Sequence, residues 1–406
     1  MAEYSARLEN SALRGGERSF NPTLKHAPTA DSDRQSLRPR ASDRAKGLRD
    51  VLRQIKADRA WARSRGKGVH IAIVDTGVCG QMKEFPQWKR SPFSTDRFGN
   101  PWGDVDYHGS MVACIAAGTR AESGRFDGVA PDATLISSRV PFDDFDDANL
   151  CPIYEYLIGL VEDGDVGRLV VNNSYGLRNR NEPELDPASK FIGLVRKAVS
   201  VGIVVVFAAG DNNIPGEGEP ALPRPVNTIW GANSLDEVIT VGTVDQSGSM
   251  DRVPPGLPER SLCHRNSSRG PGQLSRSTIK PDCVAPTYGE VMYGCGYQSM
   301  LWWGTSGAAP QVSGLAALLL AENPELSPDE IKVIIRESCV SLGLPPEYAG
   351  AGMIDCEAAM ELAKNLKPQR QSFLSNYAFG EPAVRIAGLP LITATTNHNN
   401  AKEIRP

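Results

Sequence analysis

Five short apolar runs rich in β-branched residues, near 69–74, 134–140, 168–173, 202–208 and 237–242, recur along this chain with helix-like stretches between them. Runs with apolar residues at nearly every position are buried on both faces, the condition of strands in a parallel sheet. Parallel neighbours need a crossover connection, and the stretches near 148–163 and 187–200 have the helical character to supply it. The predicted fold class is therefore α/β, a mainly parallel sheet with helices on both faces.

With 406 residues there is enough chain for one large domain with tails. Residues 1–50 are rich in Arg, Ser, Asp, Gly and Pro, carry few large apolar side chains, and are predicted to form a disordered or loosely attached arm. The domain is expected over 51–366, and the Pro, Asn, Gln and Thr that accumulate over 367–406 read as a flexible tail. Leu48, Val51, Leu52, Ile55 and Ala62 recur at helical spacing, so an amphipathic helix from Gly47 to Ala62 should lead into the domain. Ser327, Pro328 and Glu330 spell a capping box at another helix start, and an apolar element from Gly350 to Leu366 should close the domain.

A net charge of −4 with 23% charged residues argues against nucleic acid as a partner. No apolar run approaches the roughly eighteen residues of a membrane span, so no membrane partner is expected. The N-terminus lacks the apolar core of a secretory signal, which predicts a cytoplasmic protein. Eight cysteines are scattered without close pairs or histidine partners at ligand spacing; reduced core thiols and no metal site are the expectation.

Three residues carry chemistry. Asp75 ends the first apolar run in Asp-Thr-Gly, where a strand's C-terminal end would deliver a carboxylate to the crevice of an open sheet. His108 opens a helix containing Val112, Ile115 and Ala116 on one face. Ser306 sits in Gly304-Thr305-Ser306-Gly307-Ala308-Ala309-Pro310, at the start of a long apolar helical run, where the helix N-terminus favours developing negative charge. Taken singly each has an ordinary structural explanation: a turn cap, a surface histidine, a tightly packed helix start.

Together they resemble the active-site blocks of the subtilisin-like serine proteases, the subtilase family, peptidase family S8. Asp-Thr-Gly at 75–77, His-Gly-Ser with Val-Ala at 108–113 and Gly-Thr-Ser with Ala-Ala-Pro at 304–310 stand in that family's order. Further blocks agree, among them Gly128-Val129-Ala130-Pro131, Asn173-Ser174-Tyr175-Gly176, Ala208-Ala209-Gly210 and Lys280-Pro281-Asp282. The resemblance covers roughly residues 55 to 365 and implies a three-layer subtilisin-like fold and a serine endopeptidase acting on protein or peptide substrates. It implies Ser306 as nucleophile, His108 as base and Asp75 as the carboxylate that orients His108. It also implies that substrate adds as a strand near Val140, Pro141 and Phe142 and near Ser174, Tyr175 and Gly176. The last three, with Ala208, Ala209 and Gly210, would wall the main specificity pocket.

The chain departs from the family pattern in a few places. The family usually has Asn after Ala-Ala-Gly, its amide donating to the oxyanion, whereas here the residue is Asp211, followed by Asn212. Either could face the oxyanion, and an ionised Asp211 could not donate. The alternative reading is therefore a protease-like peptide-binding protein with little turnover. Met111, Cys114 and Gly307 replace a usual His, Gly and Met and read as packing changes. No N-terminal inhibitory domain is expected. Calcium is possible by resemblance, with no site identified: Asp143, Asp144, Asp146 and Asp147 form the densest acidic cluster and read as a solvated loop beside the substrate strand. Oligomeric state is left open.

Overall fold

The computed structural model describes residues 47–96, 99–140, 147–176, 186–213, 227–245, 262–263, 266–276, 279–293, 296–300 and 303–365. The expected tail over 367–406, nearly all of the expected arm, and Pro141, Phe142, Asp143, Asp144 and Asp146 lie outside the described residues.

Six strands run parallel: β1 (His70–Asp75), β2 (Thr134–Arg139), β3 (Leu169–Asn173), β4 (Val204–Ala208), β5 (Ile239–Asp245) and β7 (Cys283–Pro286). The order is β2-β1-β3-β4-β5, with β7 alongside β5 and a two-residue β6 (Leu262–Cys263) pairing antiparallel with the end of β5. From β1 the chain adds β2 on one side and then β3 on the other. That reversal opens a crevice at the C-terminal ends of β1 and β3.

Alternating side chains divide the core. Ile71, Ile73, Val170, Val204 and Val206 face one layer, and Ala72, Val74, Val171, Val205 and Phe207 face the other. The second layer holds α4 (Asp147–Glu162) and α5 (Lys190–Ser200). The first holds α1 (Leu48–Gln54), α3 (His108–Ala117), α6 (Gly304–Glu322), α7 (Pro328–Glu337) and α9 (Cys356–Asn365). The short α8 (Pro346–Ala349) and the hairpin β8 (Gly289–Tyr293) and β9 (Gly296–Met300) lie outside the main sheet.

Two helices are buried on every side, which explains their lack of a polar stripe. In α6 every residue from Gly304 to Leu320 is buried, and all of α3 is buried. The two pack closely through Gly314, where a Cβ would come within 2.8 Å of the Ala116 carbonyl oxygen. The face of α3 that carries Val112, Ile115 and Ala116 is buried as its spacing suggests, and so is every other face of that helix.

The leading helix is also corrected. It breaks at Lys56, whose φ of 57° is left-handed, into α1 and a one-turn α2 (Ala57–Ala60). The Lys56 ammonium instead pairs with Asp355, and the Cys356 N–H donates to the Ile55 carbonyl at 2.8 Å, docking this segment on the start of α9. Packing begins by Gly47, which bridges to Glu290, and Leu48 is fully buried. The Ser327 capping box forms as its sequence predicts: Ser327 Oγ accepts from Glu330 N at 3.2 Å while the Glu330 carboxylate accepts from Ser327 N at 2.8 Å.

Candidate active site

Asp75 ends β1 inside the crevice, and α3 begins above it with His108. The approach is close enough to dictate the next residue, since a Cβ at Gly109 would stand 2.1 Å from the Gly77 carbonyl oxygen. The helix start is held by a residue that sequence reading passed over. Tyr107, at the cap position, has a left-handed φ of 68° and no capping side chain. Asp104 takes over: its Oδ2 accepts from Ser110 N at 2.8 Å and Ser110 Oγ at 2.6 Å. Its Oδ1 accepts from Tyr107 N at 2.9 Å and Thr76 Oγ1 at 2.8 Å. A carboxylate four residues before the histidine was the available signal, because an anion there complements the free N–H groups of the helix.

His108 Nδ1 lies 2.8 Å from Asp75 Oδ1, which also accepts from Thr76 N at 2.8 Å. Only 1% of Asp75 is exposed, and its Oδ2 is buried without a hydrogen-bond partner. When His108 is neutral, the Asp75 carboxylate keeps its remaining proton on Nδ1 and leaves Nε2 as acceptor. Burial alone would favour neutral imidazole. The Asp75 carboxylate and its hydrogen bond outweigh that, with Asp106 and Asp104 adding, and hold His108 up to about 9.

Ser306 is the third residue of α6 and 5% exposed. Pro310, four residues on, has no N–H to give the Ser306 carbonyl. The Ser174 hydroxyl donates to that carbonyl instead, at 2.9 Å, and the Ser306 hydroxyl donates back to the Ser174 carbonyl at 3.0 Å. The structure therefore joins Asp75 to His108 and Ser306 to Ser174, and makes no hydrogen bond between His108 and Ser306. Ser174 is itself held by Asn172, whose Nδ2 donates to its Oγ at 2.9 Å.

Asp211 points at the start of α6. Its Oδ1 accepts from Thr305 N at 3.1 Å and Thr305 Oγ1 at 3.0 Å, one residue before Ser306. Burial pushes Asp211 up to about 6, against the Thr305 bonds and His108, which favour the anion. Asn212 is turned differently. Its N–H donates to Ser268 Oγ at 3.0 Å, and its amide nitrogen lies 3.0 Å from the Cβ position of Gly210. Gly210 has a φ of +95°, a conformation that suits glycine.

The remaining predicted residues separate. Ser174, Tyr175 and Gly176 follow β3, and Ala209 and Gly210 follow Ala208 at the end of β4, so the two segments run side by side. A Cβ at Gly176 would stand 3.5 Å from Gly210 Cα. The Tyr175 side chain turns into the core, its hydroxyl donating to Asn173 Oδ1 at 2.9 Å, so only its backbone is on the site side. Val140 is buried, and its N–H is taken by the Asp75 carbonyl at 2.8 Å. Met111 and Cys114 are buried in the core, and Gly307 makes room for Trp303, whose Cβ would lie 2.6 Å from a Cβ there. Among the described residues no three His, Cys, Asp or Glu side chains are grouped to hold a metal ion.

A sequence profile of the subtilase family matches residues 66–380, more than half of the chain. The chain is a subtilase. Mycosin-1 of Mycolicibacterium smegmatis is 30% identical over 75% of this chain and 73% of its own length. Serine protease AprX of Bacillus subtilis is 28% identical over 72% of this chain and 66% of its own length. Among solved structures, MycP1 from the ESX-1 type VII secretion system superposes with a TM-score of 0.56 at 24% identity, covering 76% of this subtilase and 84% of that chain. The fold is subtilisin-like, and the protein is a serine-type endopeptidase acting on protein or peptide substrates.

The same relatives overturn the cytoplasmic placement. This subtilase resembles mycosins, and the solved MycP1 is a secretion-system protein, so the missing apolar signal core does not place the chain in the cytoplasm. Among the described residues no helix is long and apolar enough to cross a membrane.

Proposed function

We propose that this subtilase cleaves peptide bonds through an acyl-enzyme on Ser306, with His108 as general base and acid and Asp75 orienting it. The observation that carries the reading is the 2.8 Å contact between Asp75 and His108 in the crevice of the sheet, with Ser306 at the N-terminus of a buried helix. A serine hydroxyl is a poor nucleophile while protonated. In the proposed sequence the Ser306 hydroxyl rotates from the Ser174 carbonyl toward His108 Nε2, which takes its proton as Oγ attacks the substrate carbonyl. The tetrahedral intermediate collapses as His108 returns the proton to the leaving amine. Water then attacks the acyl-enzyme with His108 again as base, releasing the acid and restoring Ser306.

The oxyanion would be stabilised by the N-terminal end of α6 and by Asp211 in its neutral form. The extended substrate would lie along Ser174-Tyr175-Gly176, with the side chain before the scissile bond between that segment and Ala208-Ala209-Gly210. Partner chemistry is then backbone pairing with little sequence demand. One observation favours a second reading, a peptide-binding subtilase with little turnover: Asp211 accepts both Thr305 bonds, the arrangement that suits its anion. Hydrolysis of a quenched fluorescent peptide library by wild type and Ser306→Ala decides between them. The first reading predicts cleavage lost in the variant; an uncleaved library with bound peptides would favour the second.

A further inference from the structure

The register of β3 ends at Asn173, opposite Val74 of β1 and Phe207 of β4, so Ser174, Tyr175 and Gly176 run on past the ladder. Side chains hold this segment instead. On the α6 side the Ser306 hydroxyl donates to the Ser174 carbonyl at 3.0 Å. Asn233, in the helical turn Gly231–Ser234 that precedes β5, donates through Nδ2 to the Tyr175 carbonyl at 2.9 Å and to the Ala208 carbonyl at 2.6 Å. On the opposite face the Tyr175 hydroxyl donates to Asn173 Oδ1 at 2.9 Å. Residues two apart on an extended chain share a face, and Asn173 and Tyr175 both face the layer of α4 and α5.

Asn173 is the hub of that face. Tyr154 of α4 donates to the same Oδ1 at 3.0 Å, and Asn173 Nδ2 donates to the Val206 carbonyl of β4 at 3.1 Å. An amide oxygen accepts two hydrogen bonds, so Oδ1 is saturated, and the carbonyl beside Nδ2 fixes the carboxamide in one orientation. Asn173 and Tyr154 are fully buried and Tyr175 is 8% exposed. Burial pushes both tyrosine hydroxyls above their ordinary value, which keeps them protonated as donors. Each ring also meets a phenylalanine edge-on, Tyr154 with Phe191 at 5.2 Å and Tyr175 with Phe207 at 5.9 Å. Ring contacts of that kind tolerate sliding. The hydrogen bond has a narrow range of length and angle, so it sets how deeply Tyr175 is drawn in, and with it the backbone of Ser174 and Gly176.

We propose that Asn173 is a positioning residue for peptide substrates of this subtilase: through the Tyr175 hydroxyl it holds Ser174-Tyr175-Gly176 in place for backbone pairing with an extended chain. A segment ordered beforehand spares the substrate the cost of ordering it on binding. The benefit falls on substrates long enough to pair with the segment and not on small esters that reach only Ser306. This inference rests on the substrate path proposed above.

The experiment compares Tyr175→Phe with Tyr154→Phe. Each removes one donor to Asn173 Oδ1 and keeps its ring, but only the first residue lies on the substrate segment. Both variants and wild type are assayed with an extended fluorogenic peptide and with p-nitrophenyl acetate. In Tyr175→Phe the ratio of peptide to ester kcat/KM should fall about three- to tenfold, the worth of one buried hydrogen bond, with the change carried by the peptide KM. In Tyr154→Phe the ratio should stay at the wild-type value, although thermal unfolding should show both variants destabilised. A ratio in Tyr175→Phe equal to wild type, or an equal fall in the two variants, overturns the inference. Labelling of Ser306 by a fluorophosphonate separates the failures: a labelled enzyme whose ratio does not move refutes the role of Asn173 alone, and an unlabelled one refutes the catalytic reading beneath it.

Discussion

Ser174 and Ser306 exchange hydrogen bonds in both directions, each hydroxyl donating to the other's carbonyl, at 2.9 and 3.0 Å. The pairing follows from Pro310, which leaves the Ser306 carbonyl without its helical partner. It links the wall of the slot to the proposed nucleophile.

Ser174→Ala should therefore act at both places. The Ser306 carbonyl loses its donor in a buried site, which costs about 1–3 kcal/mol. The hydroxyl of Ser306 keeps its acceptor, the Ser174 backbone, so nucleophile labelling should persist. Urea unfolding and fluorophosphonate labelling of the same variant check this; unchanged stability would mean that another donor replaces the hydroxyl.

Asp104 should behave as a positioning residue for His108. Asp104→Ala removes the acceptor of five hydrogen bonds around the start of α3, from Thr76, Asp106, Tyr107 and both donors of Ser110, and helix caps of this kind are worth about 1–2 kcal/mol. Because His108 is the first residue of that helix, kcat should fall while KM changes little. Asp104→Asn, which keeps one acceptor oxygen, should recover part of kcat. Equal kcat in wild type and Asp104→Ala would reduce the residue to a stabilising cap.

Much of this arrangement was legible in the residues. The parallel sheet, the strand end at Asp75, the helix starts at His108 and Ser306 and the Ser327 cap all follow from local periodicity and capping chemistry, which act over a few positions. What was not legible depends on distant contacts. Tyr175 reads as a site residue until Asn173 and Phe207 draw its side chain into the core, with the Tyr175 and Phe207 rings 5.9 Å apart. Val140 reads as the start of a substrate strand, yet the Asp75 carbonyl has already taken its N–H. Lys56 breaks a helix whose apolar spacing is continuous, because its partner, Asp355, is 299 residues away. Asn233 carries no motif at all, and only the convergence of β3 and β4 gives it two carbonyls to bridge. Placement in the cell was misread because the absence of a signal was treated as evidence.

The pH dependence of Asp211 can be read through its amide. Its carboxyl is pushed up to about 6 from the ordinary 3.8, mainly by burial. A raised carboxyl contributes stability that is fully present below 3.8 and lost as pH rises through about 6, where the folded state must hold the charge. Asp211→Asn should consequently gain stability relative to wild type above pH 6. The ratio of its kcat to that of wild type should also rise through the same range, toward the roughly hundredfold that one oxyanion donor supplies. Paired pH profiles of kcat and thermal midpoint test both, and a ratio flat across that range would place Asp211 away from the oxyanion.

The central claim is that Ser306 is a nucleophile activated by His108, and covalent labelling reads it most directly. Wild type, Ser306→Ala and His108→Ala would each be treated with a fluorophosphonate and the modified peptide located by mass spectrometry. The account predicts one phosphonylated site, at Ser306, absent in Ser306→Ala and labelled far more slowly in His108→Ala. Labelling that persists in Ser306→Ala, or that proceeds at the wild-type rate in His108→Ala, would contradict it.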